Sequence, residues 1–155
     1  MEQHVKNTHC HIEGVTATPL RIIADERGAV LHMLRSDSPV FHRFGEVYFS
    51  EVRGGAVKAW KRHLRMTQNF AVPVGRIKVV IYDNRPSSPT LGTVGEYILG
   101  RPDQYLLLSI PPMLWYGFQA ISESTALLTN CSDMPHDPDE SERLELNNSE
   151  IPYEW

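Results

Sequence analysis

The chain has two cysteines, Cys10 and Cys131, in 155 residues. Two thiols that far apart in sequence build neither a disulfide framework nor a zinc site. No apolar run approaches the roughly 18 residues that a membrane-crossing helix needs, so no membrane partner is expected. The opening residues, MEQHVKNTHCHIEG, lack the apolar stretch of a signal peptide, and a cytoplasmic location is the expectation. No window carries a 3.6-residue apolar period, which argues against helices. An excess of positive charge is also missing. The formal net charge is −4, which leaves no electrostatic footprint for nucleic acid.

What remains is an ordinary globular composition, 41% hydrophobic and 22% charged. The length fits a single domain over residues 1–155. Its charge is uneven. Residues 133–155 hold eight acids and Arg143, a local −7, so residues 1–132 sum to +3. The acidic end reads as a solvated wrap around the outside of the fold. Residues 1–18 read as a flexible or edge-strand segment. The histidines His4, His9 and His11 fit a metal-binding tract or, more simply, a frayed terminus.

From Pro19 onward the sequence alternates short apolar runs with turn signals. Runs at 20–23 and 29–34 are followed by Glu46 to Val52, where Val47, Phe49 and Glu51 share one face and Tyr48 and Ser50 the other. Residues 69–74 and 76–82 predict a hairpin across Pro73-Val74-Gly75-Arg76. Asp83 to Pro89 is loop-like. Further strands are expected at 96–99, 104–110, 115–121 and 125–130. Many short strands at regular spacing predict an all-β antiparallel barrel or double-sheet jelly roll.

One motif is specific. Gly55, five residues, Lys61, one residue, His63, four residues, Gln68, six residues and Gly75 follow the first cupin box, G-x5-H-x-H-x4-E-x6-G. The glycines, the spacing and the second His match. Lys61 replaces the first His and Gln68 the Glu. A lysine ammonium has no lone pair for a metal, and a neutral amide brings no charge. The second box, P-x-G-x2-H-x3-N, appears as Pro111 to Ala120 with Tyr116 at the His position. The frame predicts a cupin-type jelly roll with no metal and no cofactor.

Residues two apart on a strand share a face, so Lys61 and His63 point into the barrel, with Gln68 and Tyr116 facing them. A slip of one residue would instead turn Arg62 inward. This cluster suits acid–base chemistry. His63 is the candidate base and Tyr116 the candidate acid. Lys61 is placed to stabilise a developing enolate oxygen, and Gln68 to orient a hydroxyl. Arg27, in Asp25-Glu26-Arg27-Gly28, fits a phosphate-binding fork or an exposed turn. Lys58, Trp115 and Asn130 are further candidates for substrate binding. Trp60, Trp115 and Phe118 fit core packing as well as sugar stacking.

The arrangement resembles the dTDP-4-dehydrorhamnose 3,5-epimerase family. Asp25-Glu26-Arg27-Gly28 is similar to its D-x-R-G, and Lys58-Ala59-Trp60-Lys61 stands where it has R-G-L-H. Ile110 to Phe118 resembles V-P-x-G-F-A-H-G-F, and Ile151 to Trp155 its closing I-x-W. The resemblance implies epimerisation by proton abstraction on a nucleotide-linked 4-keto-deoxysugar, and a homodimer with exchanged N-terminal strands. The family uses a His base, an orienting Asp, a Lys and a Tyr acid. The corresponding positions here are Lys61, Asn148, Gln68 and the vicinity of Thr129. Sugar-nucleotide 3,4-ketoisomerases are similar in another respect. Their H-A-H matches at His63, and their aromatic strand matches Val47-Tyr48-Phe49, which makes Tyr48 a second candidate acid. The alternative is a sugar-nucleotide-binding cupin without catalysis.

Overall fold

The computed structural model describes residues 11–155. Cys10, His4 and His9 lie outside the described residues. Among the described residues the regular structure is strand, plus one 3-10 turn at Pro138–Glu140. The strands are β1 (Thr16–Pro19), β2 (Ile22–Asp25), β3 (Gly28–Leu31), β4 (Glu46–Val52), β5 (Val57–His63) and β6 (Gln68–Val74). They continue with β7 (Arg76–Tyr82), β8 (Val94–Gly100), β9 (Leu106–Ile110), β10 (Trp115–Ala120), β11 (Ala126–Ser132) and β12 (Ser141–Arg143). One sheet has the order β1-β9-β6-β11-β4 and the other β12-β5-β10-β7-β8, while β2 and β3 form a separate two-stranded sheet. Every pairing within the named strands is antiparallel. This is the cupin-type jelly roll that the sequence predicts.

The expected hairpin between residues 69–74 and 76–82 is not a hairpin. β6 pairs with β9 and β11, and β7 with β10 and β8, so the two strands belong to opposite sheets. Gly75 turns the corner at φ +75°, where a Cβ would fall 2.7 Å from the Ala126 side chain. Only glycine meets both demands. The turn chemistry is the same as in a hairpin, but the two strands pair in different sheets.

Inward residues of the two sheets, among them Val52, Phe70, Val72, Ile77, Ile81 and Leu128, fill the space between them and are almost fully buried. Each such side chain contributes about 1.5–3 kcal/mol of burial. A second cluster lies on the outside of the β5-β10-β7 sheet. There Trp60, Val80 and Trp115 are covered by Ile151, Tyr153 and Trp155. The acidic end packs Ile151, Tyr153 and Trp155 against this outer face. It also inserts β12 beside β5, which the sequence pattern does not announce. At the other end, buried Asp83 binds Arg85, Ser88 and Thr90, and Arg85 reaches the Glu13 carbonyl at 2.7 Å, tying down the segment that holds buried Ile12.

Candidate active site

The register of β5 decides what the barrel interior contains. Arg62 points outward, paired with Glu142 and stacked 4.6 Å over the Trp115 ring. Lys61 and His63 point inward. Lys61 is the strand-pair partner of Tyr116 on β10 and of Arg143 on β12. Direct cross-strand neighbours share a face, so Arg143, Lys61 and Tyr116 form a row across three strands. Opposite them, Tyr48 and Ser50 on β4 face inward while Val47 and Phe49 stay exposed. Between the rows lies a cavity of about 660 Å³, whose wall includes Tyr48, Lys58, Lys61, Phe70, Tyr116 and Arg143.

Behind Tyr48 and Tyr116 in the cavity wall runs one continuous hydrogen-bond chain. The Asn69 N–H donates to Asn130 Oδ1 at 3.2 Å. That fixes the Asn130 amide, so its Nδ2 is the donor to Tyr48 Oη at 2.9 Å and to Gln68 Oε1 at 3.0 Å. Gln68 therefore offers an acceptor to the Tyr116 hydroxyl at 3.2 Å. The same hydroxyl lies 3.3 Å from His63 Nε2, and the two rings are within 11° of parallel. His63 Nδ1 bonds to Glu140 Oε1. Glu140 Oε2 in turn accepts the Arg65 and Met66 backbone N–H groups, both at 3.0 Å. Because Nδ1 donates to a carboxylate, Nε2 is left as an acceptor, so it and Gln68 Oε1 share the one Tyr116 hydroxyl hydrogen between them. Tyr48 accepts from Asn130, so its own hydrogen remains available to a molecule in the cavity.

The electrostatics follow from burial. Burial pushes the His63 imidazole below its ordinary value, and the Glu140 hydrogen bond and charge only partly offset this. Burial works to raise Glu140, but the bonds from His63, Arg65 and Met66 outweigh it and hold the carboxyl low. Both hydroxyls are pushed up, Tyr116 strongly, mainly by burial. The Lys61 amine is pushed down by burial and then by Arg143, against an opposing pull from Glu140.

His63, Lys61, Tyr116, Tyr48, Gln68 and Asn130 are thus brought together. His63 does not line the large cavity, however. It borders a smaller one of about 270 Å³ with Glu46, Tyr48, Lys61, Met66 and His136, and meets the large cavity through the Tyr116 hydroxyl. Lys58 stands at the wall, its amine donating to Ser50 Oγ and the Glu51 carbonyl. Trp115 lies in the outer cluster and does not line the cavity. Arg27 sits on the β2–β3 turn, paired at 2.6 Å with Asp25, away from the cavity of its own chain. Asn148 reaches the cavity wall, whereas Thr129 is buried in β11 and does not line it. The sequence reading missed Glu140 and Arg143. Both lie in the acidic end, and the Asp137-Pro138 turn signal before Glu140 was the available clue.

The positions that hold a metal in the cupin boxes do not fit one here. Lys61 supplies an ammonium, Gln68 Oε1 already serves Asn130 and Tyr116, and Tyr116 supplies a strongly held phenol proton. A jelly roll with a closed polar chain ending at an open cavity instead defines a small-molecule enzyme of the acid–base kind.

Comparison with known proteins agrees. Residues 9–155 match the family model described as dTDP-4-dehydrorhamnose 3,5-epimerase, and the chain belongs to that family. It is 38% identical to the probable low-salt glycan biosynthesis epimerase of Haloferax volcanii, over 94% of this chain and 95% of that protein. The crystal structure of a dTDP sugar isomerase from Desulfovibrio desulfuricans G20 is 56% identical, covering 93% of this chain and 92% of the other, with a TM-score of 0.91. The dTDP-4-dehydrorhamnose 3,5-epimerase of Bacillus anthracis, solved with TDP and pyrophosphate, shares the fold at 22% identity and a TM-score of 0.82, over 97% of this chain and 89% of that one. The protein is an enzyme of the sugar-nucleotide epimerase class.

Proposed function

We propose that this epimerase inverts a carbon next to the ketone of a nucleotide-linked 4-keto-deoxysugar by removing and returning a proton. The observation that carries this reading is the chain Tyr48–Asn130–Gln68–Tyr116–His63–Glu140, which places two tyrosine hydroxyls at one cavity. The ketone acidifies its neighbouring C–H. Tyr116 serves as acid toward the ketone oxygen, where charge develops. His63, oriented by Glu140, holds the Tyr116 hydroxyl through Nε2, and the proton lent to the ketone oxygen returns to Tyr116 when the enol collapses. Arg143 and Lys58 place positive charge at the cavity wall, suited to a diphosphate. The family and the 56%-identical dTDP sugar isomerase support a dTDP-linked substrate.

The test is a proton NMR time course in D2O with dTDP-4-keto-6-deoxyglucose. Loss of the C3 or C5 proton signal is the expected result, and the position lost identifies the carbon inverted. Bound substrate with no loss would favour a binding module instead.

We further propose a homodimer. β4 is the edge of its sheet, and it exposes Val47 (45%) and Phe49 (64%), with Phe44 (66%) beside it. Such an apolar edge invites pairing. Light scattering should give twice the 17.7 kDa chain mass, and Val47→Lys with Phe49→Lys should give a monomer. A wild-type mass of one chain would refute the dimer.

A further inference from the structure

Removing a proton from carbon requires a group in the cavity wall with a free lone pair, and the identity of that group matters only if the epimerisation proposed for this cavity takes place. The Tyr48 and Tyr116 hydroxyls are pushed up and stay protonated near neutrality. Arg143 is a guanidinium, which does not deprotonate in proteins. Lys58 is engaged as a donor to Ser50 and Glu51. Glu145 lines the cavity but is an exposed residue beyond the end of β12.

Lys61 is different. It is half-buried midway along β5, in the row between Arg143 and Tyr116. Among the described residues its amine has no hydrogen-bond or ion-pair partner. It lines both the large and the small cavity, as does Tyr48. Yet the two come from opposite sheets, Lys61 from β5 and Tyr48 from β4. Inversion at carbon needs just this, a group on each side of the reacting atom.

We propose that Lys61, as a neutral amine, is the base that takes the proton from the carbon next to the ketone, and that Tyr48 returns a proton to the opposite side of that carbon. The Nζ lone pair forms an N–H bond. The electrons of the broken C–H bond become the carbon–carbon π bond, and the carbonyl π pair settles on the ketone oxygen beside Tyr116. When the enolate collapses, carbon takes the Tyr48 phenolic proton. The Lys61 ammonium then loses a proton to solvent and the Tyr48 phenolate regains one, so no oxidant or reductant is consumed. Burial, and then Arg143, push the amine in the direction a base needs, against an opposing pull from Glu140. Lys61 also shares its two cavities with Tyr116, Lys58, Glu145, His63, Glu46 and His136, and lies within the field of Glu140.

Arginine separates a base from a mere positive charge. Lys61→Arg keeps the cation and cannot accept a proton. Exchange in D2O should fall about 10²–10⁴-fold, the usual contribution of a general base, while the melting temperature and dTDP binding stay at wild-type values. Lys61→Met, if folded, should lose exchange to the same degree. Exchange by Lys61→Arg within threefold of wild type would overturn the assignment and leave the reaction standing, as would loss of exchange in Glu145→Gln with retention in Lys61→Arg. Absence of exchange in the wild-type enzyme would overturn both readings together.

Discussion

Glu140→Ala should unfold roughly 10–15 °C below the wild-type protein, a loss of about 3–5 kcal/mol. Glu140 is 1% exposed and receives three hydrogen bonds, from His63 Nδ1 and the Arg65 and Met66 amides. Truncation leaves all three donors buried without an acceptor, and each such orphan costs about 1–3 kcal/mol. It also removes the link between the Pro138–Glu140 turn and the β5–β6 connection. Glu140→Gln keeps the shape and one acceptor oxygen, so it should lose less. The pH dependence has a definite sign. Both His63 and Glu140 hold fewer protons folded than unfolded, because each is shifted down. Stability is therefore full above the ordinary imidazole value of about 6.5 and declines as pH falls, first as unfolded His63 takes its proton and then as Glu140 is titrated. Thermal melts of the wild type and both variants at pH 8, 6.5 and 5 check this. Equal melting temperatures for wild type and Glu140→Ala would refute it.

Much of this arrangement was legible because β strands repeat every two residues. Lys61 and His63 had to share a face, and the cupin box suggested the inward one while a slip of one residue stayed open. The structure turns Arg62 outward onto Glu142, so that register holds. Tyr48 against Val47 and Phe49 was readable for the same reason. The illegible parts depend on contacts that no local pattern encodes. Glu140 lies 77 residues after His63, and in a stretch with eight acids nothing marks it as the buried one. Arg143 looked like the lone base of a solvated tail, and becomes part of the cavity only because β12 pairs with β5. The turn at Gly75 was recognised as a turn, but a corner between sheets and a hairpin need the same left-handed glycine. Trp115 and Tyr116 are adjacent, so one must face outward, and the aromatic pattern alone does not say which. Arg27 reads as a charged fork in sequence, and the structure gives that fork to Asp25, two residues away.

Tyr116→Phe should lower kcat about 10²–10³-fold, the usual cost of removing a donor to a developing oxyanion, with KM little changed. The hydroxyl is the point where the chain from Glu140 meets the large cavity, and no other side chain on that chain can replace it toward the ketone. Stability should hardly move. Gln68 Oε1 keeps its bond from Asn130 and the ring keeps its contact with Phe70, so the loss is one modest hydrogen bond. His63→Gln separates the acid from its support. The Tyr116 proton remains, but the imidazole that positions the hydroxyl is gone, so kcat should fall less than in Tyr116→Phe. The pH profile should also change shape. Protonating Nε2 turns it from an acceptor into a donor at the Tyr116 hydroxyl and leaves that hydrogen to Gln68. The wild-type kcat should therefore fall on an acid limb below pH 6.5, since burial places the imidazole under its ordinary value. That limb should vanish in His63→Gln. A limb unchanged in the variant would detach His63 from the chemistry and return it to the core, leaving Tyr116 to act alone.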